Sequence, residues 1–117
     1  MAYKSYRSQS SGAPAWFWQR VTGIVLVVVL LGHYFLMHST PQAGHTYDAV
    51  LARMQSPWWK AIDLTFVVFG LYHGLQGIWN IIRDFTLGHG ARLLALVILL
   101  LLGVGFGVMG FATILSF

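Results

Sequence analysis

Phe69-Gly70-Leu71-Tyr72-His73-Gly74-Leu75-Gln76-Gly77-Ile78-Trp79-Asn80-Ile81-Ile82-Arg83-Asp84-Phe85 is the stretch on which the reading of this chain turns. With the apolar residues before it, it is long enough to cross a bilayer. There it must be a helix, because a lone strand in hydrocarbon leaves its backbone groups unsatisfied. It holds a histidine at its middle, has glycines at three- and four-residue spacing beside that histidine, and ends in Arg83 and Asp84, where lipid gives way to water. An imidazole in hydrocarbon is costly unless something bonds it, so His73 is a functional candidate on physical grounds.

The composition of the whole chain agrees with that stretch. Of 117 residues, 57% are hydrophobic and 9% charged, too little polar surface for a water-soluble globule of this size. The expectation is one small membrane domain over residues 1–117. The seven Lys and Arg outnumber three acidic residues but are scattered, which argues against nucleic acid as a partner and for charges that orient membrane spans. Cysteine is absent, so disulfides, thiolate nucleophiles, iron-sulfur clusters and cysteine-rich zinc sites are excluded. A metal or cofactor would be held chiefly by histidine.

Working outward, Trp58-Trp59-Lys60 forms an interfacial belt ahead of a span over about residues 60–82, with Asp63 near its outer mouth. Pro41, Gly44 and Pro57 mark a loop over residues 39–57, within which residues 46–54 suit a short surface helix. Before that loop, Trp16-Phe17-Trp18 and Gln19-Arg20 lead into a span over about 18–38, apolar from Val21 to Met37 except for Thr22, His33 and Tyr34. Residues 1–15 are polar and Ser-rich and read as a cytoplasmic extension; the apolar run after them is too long, and lacks a cleavage site, for a signal peptide. Downstream, Gly88-His89-Gly90 reads as a tight turn and Arg92 as an interface marker. The third span, about 93–115, has no ionisable side chain. Lys4, Arg7, Arg20, Arg83 and Arg92 fall on one side, against Arg53 and Lys60 on the other, which places the N-terminus in the cytoplasm and the C-terminus outside. The fold class is therefore an all-α integral membrane protein with three transmembrane helices, located in the cytoplasmic (inner) membrane.

Gly70, His73, Gly74 and Gly77 lie along one helical stripe. Small residues there either admit the edge of a flat group or let another helix pack closely. The imidazole among them favours the first: His73 as an axial ligand of a haem, with iron satisfying its acceptor nitrogen. A bis-histidine b-type haem needs a second ligand, from a partner subunit or from His33. The alternative for His33 is a bond to a backbone carbonyl nearer the outer headgroups. From the helical rise, His33 lies about 20 Å from the cytoplasmic interface and His73 about 16 Å, values that overlap. His38, His45 and His89 sit in or beside loops and read as solvated. Arg20 and Arg83 would meet either lipid phosphate or haem propionates, and Asp84 either pairs with Arg83 or serves a site.

Arg20-Val21-Thr22-Gly23 opening the first span, Thr46-Tyr47-Asp48 in the loop, His73 with Gly74 and Gly77, Gly77-Ile78-Trp79 leading to Asp84-Phe85, and Ala91-Arg92-Leu93 opening the third span together resemble the hydrophobic membrane anchor of succinate dehydrogenase, more closely the smaller of its two cytochrome b anchor subunits. The likeness covers nearly the whole chain from Trp16. It implies half of a two-subunit, haem-binding helix bundle. The partners would be a second haem-binding membrane anchor subunit, an iron-sulfur subunit, a flavoprotein subunit and membrane lipid. His73 matches the family's haem b ligand, Asp84 the aspartate beside the quinone, and Arg20 a basic residue near the propionates and quinone. Phe85 stands where the family commonly has tyrosine, so the quinone (ubiquinone or menaquinone) would take that hydrogen bond from another subunit or bind differently. The chain would carry no catalytic residues for succinate oxidation. The competing expectations are the anchor of a quinol:fumarate reductase or other haem b dehydrogenase, and a cofactor-free structural membrane subunit.

Overall fold

A computed structural model describes residues 12–39 and 45–117. Most of the expected N-terminal extension, and Pro41 and Gly44 of the loop, lie outside those residues. Helix α1 spans Gly12–His38, α2 Tyr47–Met54, α3 Pro57–Asp84 and α4 His89–Leu115. Three of the four, α1, α3 and α4, are long and apolar enough to cross a membrane, and the chain is a multi-pass membrane protein.

The long helices begin earlier than the apolar runs alone suggest. Pro14 falls in the first turn of α1 and Pro57 opens α3, positions where a missing backbone N–H costs nothing. The aromatic belts therefore ride on the helix starts. Thr46 caps α2, its side-chain oxygen accepting from Ala49 N at 3.3 Å. The tight turn expected at Gly88-His89-Gly90 is corrected. Gly88 is the N-cap of α4 in an extended conformation, and His89 and Gly90 are already helical. The reversal is made instead by residues 85–88, without a left-handed residue among those described.

Helix α3 is the middle of the structure, with α1 packed on one side and α4 on the other, while α2 rests against α3. The seam between α3 and α4 is a row of glycines. A Cβ placed on Gly103, Gly107 or Gly110 would approach Leu75, Leu71 or Val67 to 2.6, 3.3 and 3.0 Å. Glycine here draws the two backbones together, which is how apolar helices associate where lipid removes the hydrophobic drive. The neighbours differ in how far they yield: Leu75 presents a rotatable methyl tip to Gly103, whereas Val67 is β-branched and stiff. Gly110→Ala should cost about 1–3 kcal/mol of helix-pair stability, as overpacking does, and Gly103→Ala much less, which thermal denaturation in detergent would measure.

Outside these seams the apolar surface faces outward. Met54, Leu99 and Ile114 are the only buried hydrophobic residues among those described, and Thr22 the only buried polar one. Ile24, Val28, Leu101 and Val104 stand exposed on their helices. Contiguous apolar surface of that extent requires lipid or another polypeptide against it.

Candidate functional site

Helices α1 and α3 run antiparallel with a register that contacts fix. His33 meets Asp63, Leu26 meets the bare backbone of Gly70, Gly23 and Thr22 meet His73, and Gln19 meets Gly77. Gln19, Thr22, Gly23 and Leu26 share one face of α1 by their three- and four-residue spacing. They are the face to which His73 turns.

The His73 ring is held on one side. Its Nδ1 lies 3.1 Å from the Gln19 carbonyl oxygen and 3.2 Å from Thr22 Oγ1. A carbonyl only accepts, so the proton belongs on Nδ1, an assignment drawn from the network. The Thr22 hydroxyl has its own acceptor, the Trp18 carbonyl at 2.7 Å, and so can receive the Nδ1 proton as well. This tautomer leaves the lone pair on Nε2, for which no described residue supplies a donor. A Cβ on Gly23 would stand 3.0 Å from the ring's Cε1; the bare backbone there lets the imidazole come this close to α1. Beside the ring is a groove of about 300 Å³ walled by Gly23, Leu26, Val27, Leu30, Phe66 and Gly70. Apolar walls with one imidazole in them are chemically suited to a flat, largely apolar group carrying a metal that takes nitrogen.

The glycine stripe is not uniform. A Cβ on Gly77 would stand 3.3 Å from the Gln19 amide nitrogen, a tight approach, and one on Gly70 would make an ordinary 3.9 Å contact with Leu26, while one on Gly74 would meet open space. The glycine that makes room for the imidazole is Gly23, on the other helix.

His33 has different surroundings. Its Nδ1 donates to the Val29 carbonyl at 3.0 Å and its Nε2 meets Asp63 Oδ1 at 2.7 Å, with the Phe66 ring 5.7 Å away. Both ring nitrogens are engaged. Asp63 lies ten residues, about 15 Å of helix, from His73, so the chain's two intramembrane histidines are not brought together. The depths expected from sequence overlap because they set Arg20 and Asp84 at one level. In the observed register Gln19 is level with Gly77, seven residues or about 10 Å deeper than Asp84. His38 stacks on Tyr34 at 4.3 Å and its Nδ1 donates to the Tyr34 carbonyl at 2.8 Å. His45 and His89 are exposed.

Arg20 nevertheless reaches the helix ends. Its side chain runs back along α1, with Cζ 3.6 Å above the Trp16 ring centroid and one guanidinium nitrogen donating to the Trp16 carbonyl at 3.1 Å, as helical side chains lean toward the N-terminus. There it joins Gln19, Asn80, Arg83 and Asp84 around a cavity of about 340 Å³ between the start of α1 and the end of α3. Arg83 and Asp84, adjacent on the helix, do not face each other, and neither has a partner among the described residues. Phe85 is exposed at the end of α3 and does not line the cavity. Two guanidinium groups and a carboxylate around an amphipathic recess can bind a ligand with oxygen at its rim and an apolar body.

His73, Arg20 and Asp84 are visible as candidates in the sequence, whereas the roles of Gln19, Thr22 and Gly23 and the pairing of His33 with Asp63 emerge only from the structure. The available signal was that polar and small residues recur at helical spacing in the first half of the first span. Among the described residues no group of three or more His, Cys, Asp or Glu side chains could hold a metal ion.

Residues 2–109 match the family described as succinate dehydrogenase/fumarate reductase transmembrane subunit. The succinate dehydrogenase hydrophobic membrane anchor subunit of Thermoplasma acidophilum is 33% identical over 79 residues, 65% of this chain and 63% of that one. Its counterpart in Archaeoglobus fulgidus is 26% identical over 74 residues, 63% of each chain. That of Rickettsia typhi is 30% identical over 89 residues, 76% of this chain and 70% of the relative. The chain thus spans just under two thirds of the length of the first two of these relatives.

Proposed function

This chain belongs to the succinate dehydrogenase/fumarate reductase transmembrane subunit family, and from that premise we propose that it binds haem b through His73 and forms part of the quinone site of a succinate:quinone oxidoreductase. The relatives and the three membrane-crossing helices carry the anchor role itself. The observation that supports the finer reading is the imidazole whose Nδ1 proton is fixed by Gln19 and Thr22 while Nε2 is left without a donor beside an apolar groove.

Bound there, haem b would supply a one-electron centre whose potential follows its axial ligands and the polarity around them. The chain's part is to hold it. His73 offers Nε2, and the Gln19 carbonyl and Thr22 keep the ring's tautomer and plane, as groups behind metal-bound histidines do. Leu26, Val27, Leu30 and Phe66 keep water away. A second protein ligand for the iron would come from a partner anchor subunit, because the His33 nitrogens are occupied by Val29 and Asp63. The same partner would cover the exposed apolar face.

The quinone is substrate, and its place is the cavity of Arg20, Asn80, Arg83 and Asp84. Arg20 and Arg83 can donate to a carbonyl oxygen as it gains negative charge on reduction, and the Asp84 carboxylate on the same cavity can relay a proton taken up from water. Arg20, Arg83 and Arg92 crowd this end of the helices while Arg53 and Lys60 mark the other, which supports a cytoplasmic placement of the cavity and of the N-terminus. The flavoprotein and iron-sulfur subunits would seat on that face and deliver electrons from succinate. The chain's own residues serve reduction of quinone by succinate and the reverse reaction, reduction of fumarate, equally.

Haem extraction from the purified complex tests the reading directly. One haem b per copy of this chain, with flavoprotein and iron-sulfur subunits co-purifying, is the expected result. A colourless complex that still retains those subunits would instead support an anchor with no cofactor, and co-purification of a different dehydrogenase would redirect the assignment.

A further inference from the structure

We infer that Gln19 links the Arg20–Asp84 cavity to His73, so that a hydrogen-bond donor entering the cavity is felt at the histidine. This rests on the reading of those two places as quinone site and haem ligand. Among the residues lining the cavity, Gln19 alone bonds His73, and it does so twice: its side-chain Nε2 donates to the His73 carbonyl at 3.1 Å, and its own carbonyl accepts the His73 Nδ1 proton at 3.1 Å. The link crosses from α1 to α3. A side chain at residue 77 would obstruct it, since a Cβ there would come within 3.3 Å of Gln19 Nε2.

The other end of the amide is unsatisfied. Gln19 Oε1 is buried and has no hydrogen-bond partner, the only such side-chain atom among the described residues. An orphaned acceptor of this kind is rare in folded proteins and costly where the surroundings are apolar. The amide therefore has two arrangements, because Oε1 is buried where it stands and a donor in the cavity reaches it only if the amide turns. In the observed one Nε2 is bonded and Oε1 is not. In the other, a donor in the cavity draws Oε1 toward it, and because the amide is a rigid plane, Nε2 leaves the His73 carbonyl with it.

Hydroquinone carries O–H donors and quinone carries none, so the two redox forms of one substrate differ in what they offer Oε1. Only a ligand with unequal affinity for the two arrangements can shift their balance. On this account hydroquinone does so and quinone does not. Gln19 is thus a positioning residue: it touches the substrate's cavity and acts on the metal ligand through the contacts that orient the imidazole.

The test uses the purified holo-complex in detergent and two redox-inert probes of one shape, an alkylated 4-methoxyphenol with a single O–H and the corresponding 1,4-dimethoxybenzene with none. Binding is followed by calorimetry and the haem by its absorption and electron paramagnetic resonance spectra. The phenol should displace the Soret maximum and the resonance g-values, and the dimethoxy compound should leave them in place. In Gln19→Met, of similar volume but without an amide, haem should be retained and the phenol-induced displacement lost. A phenol that binds the wild-type complex without moving the haem spectrum overturns the inference, as does a displacement that survives in Gln19→Met. The comparison of the two probes on the wild-type complex decides the matter if the variant does not assemble. Absence of haem from the wild-type complex, by contrast, defeats the haem reading on which the inference stands.

Discussion

His73→Ala should yield a complex that assembles in the membrane, keeps its flavoprotein and iron-sulfur subunits, and has lost its haem b band. The substitution deletes the axial nitrogen, and among the described residues nothing near the groove replaces it: its walls are Gly23, Leu26, Val27, Leu30, Phe66 and Gly70. The loss of haem affinity should exceed the roughly 10- to 100-fold that follows removal of a group that only orients a metal ligand. The protein scaffold has less at stake. His73 contributes no ion pair, and its loss releases the Gln19 carbonyl and Thr22 hydroxyl, both of which keep helical partners. His33→Ala is the informative contrast: it breaks the contact with Asp63 at 2.7 Å and should weaken the α1–α3 seam while leaving the haem band in place. An unchanged band in His73→Ala, read in the dithionite-reduced minus oxidised spectrum, would take His73 off the ligand list.

Gly23→Val should weaken haem binding severely without touching a ligand. A Cβ at Gly23 stands 3.0 Å from the imidazole Cε1, closer than carbon atoms ordinarily approach, and valine adds two stiff methyl groups beyond it. The ring cannot simply retreat, since its Nδ1 is bound to Gln19 and Thr22 on the same helix. Either those bonds break or the helices part. Overpacking of this sort costs about 1–3 kcal/mol, and at about 1.4 kcal/mol per tenfold haem affinity should fall by roughly 5- to 150-fold. Gly23→Ala, needing a shift of a few tenths of an ångström, should lose far less. Haem per flavin across the series Gly, Ala, Val gives the measurement, and equal haem content in all three would show that the ring does not rest on Gly23 in the assembled complex.

The fold is most legible in the sequence where bilayer physics leaves few choices. Apolar runs without backbone partners must be helices, and belts of Trp with Lys or Arg mark their ends, so three membrane-crossing helices and the surface helix at residues 46–54 were legible from composition and spacing. His73 was legible for the same reason, as a polar ring in the middle of such a run. Interhelical register was not. Nothing in the chain alone says that the Gln19-Arg20 pair is level with Gly77 rather than with Asp84, and from setting Arg20 and Asp84 at one level follow the overlapping depths of His33 and His73. The pairing of His33 with Asp63 was missed because each was weighed on its own helix. Gly23 was visible only within the family likeness, since a glycine's importance lies in what approaches it. The Arg20–Asp84 cavity was half legible: both residues were named, but the backward lean of Arg20 onto Trp16 that brings them together is a three-dimensional fact.

A density map of the complete complex in a lipid nanodisc measures the central claim without intermediaries. The account predicts iron at coordination distance from His73 Nε2, with the Nδ1 of that ring still on the Gln19 carbonyl and the opposite axial position filled by a residue of the companion anchor subunit. A His73 ring turned to lipid, or bonded through Nε2 to a backbone oxygen with no iron beside it, would contradict the account at its root.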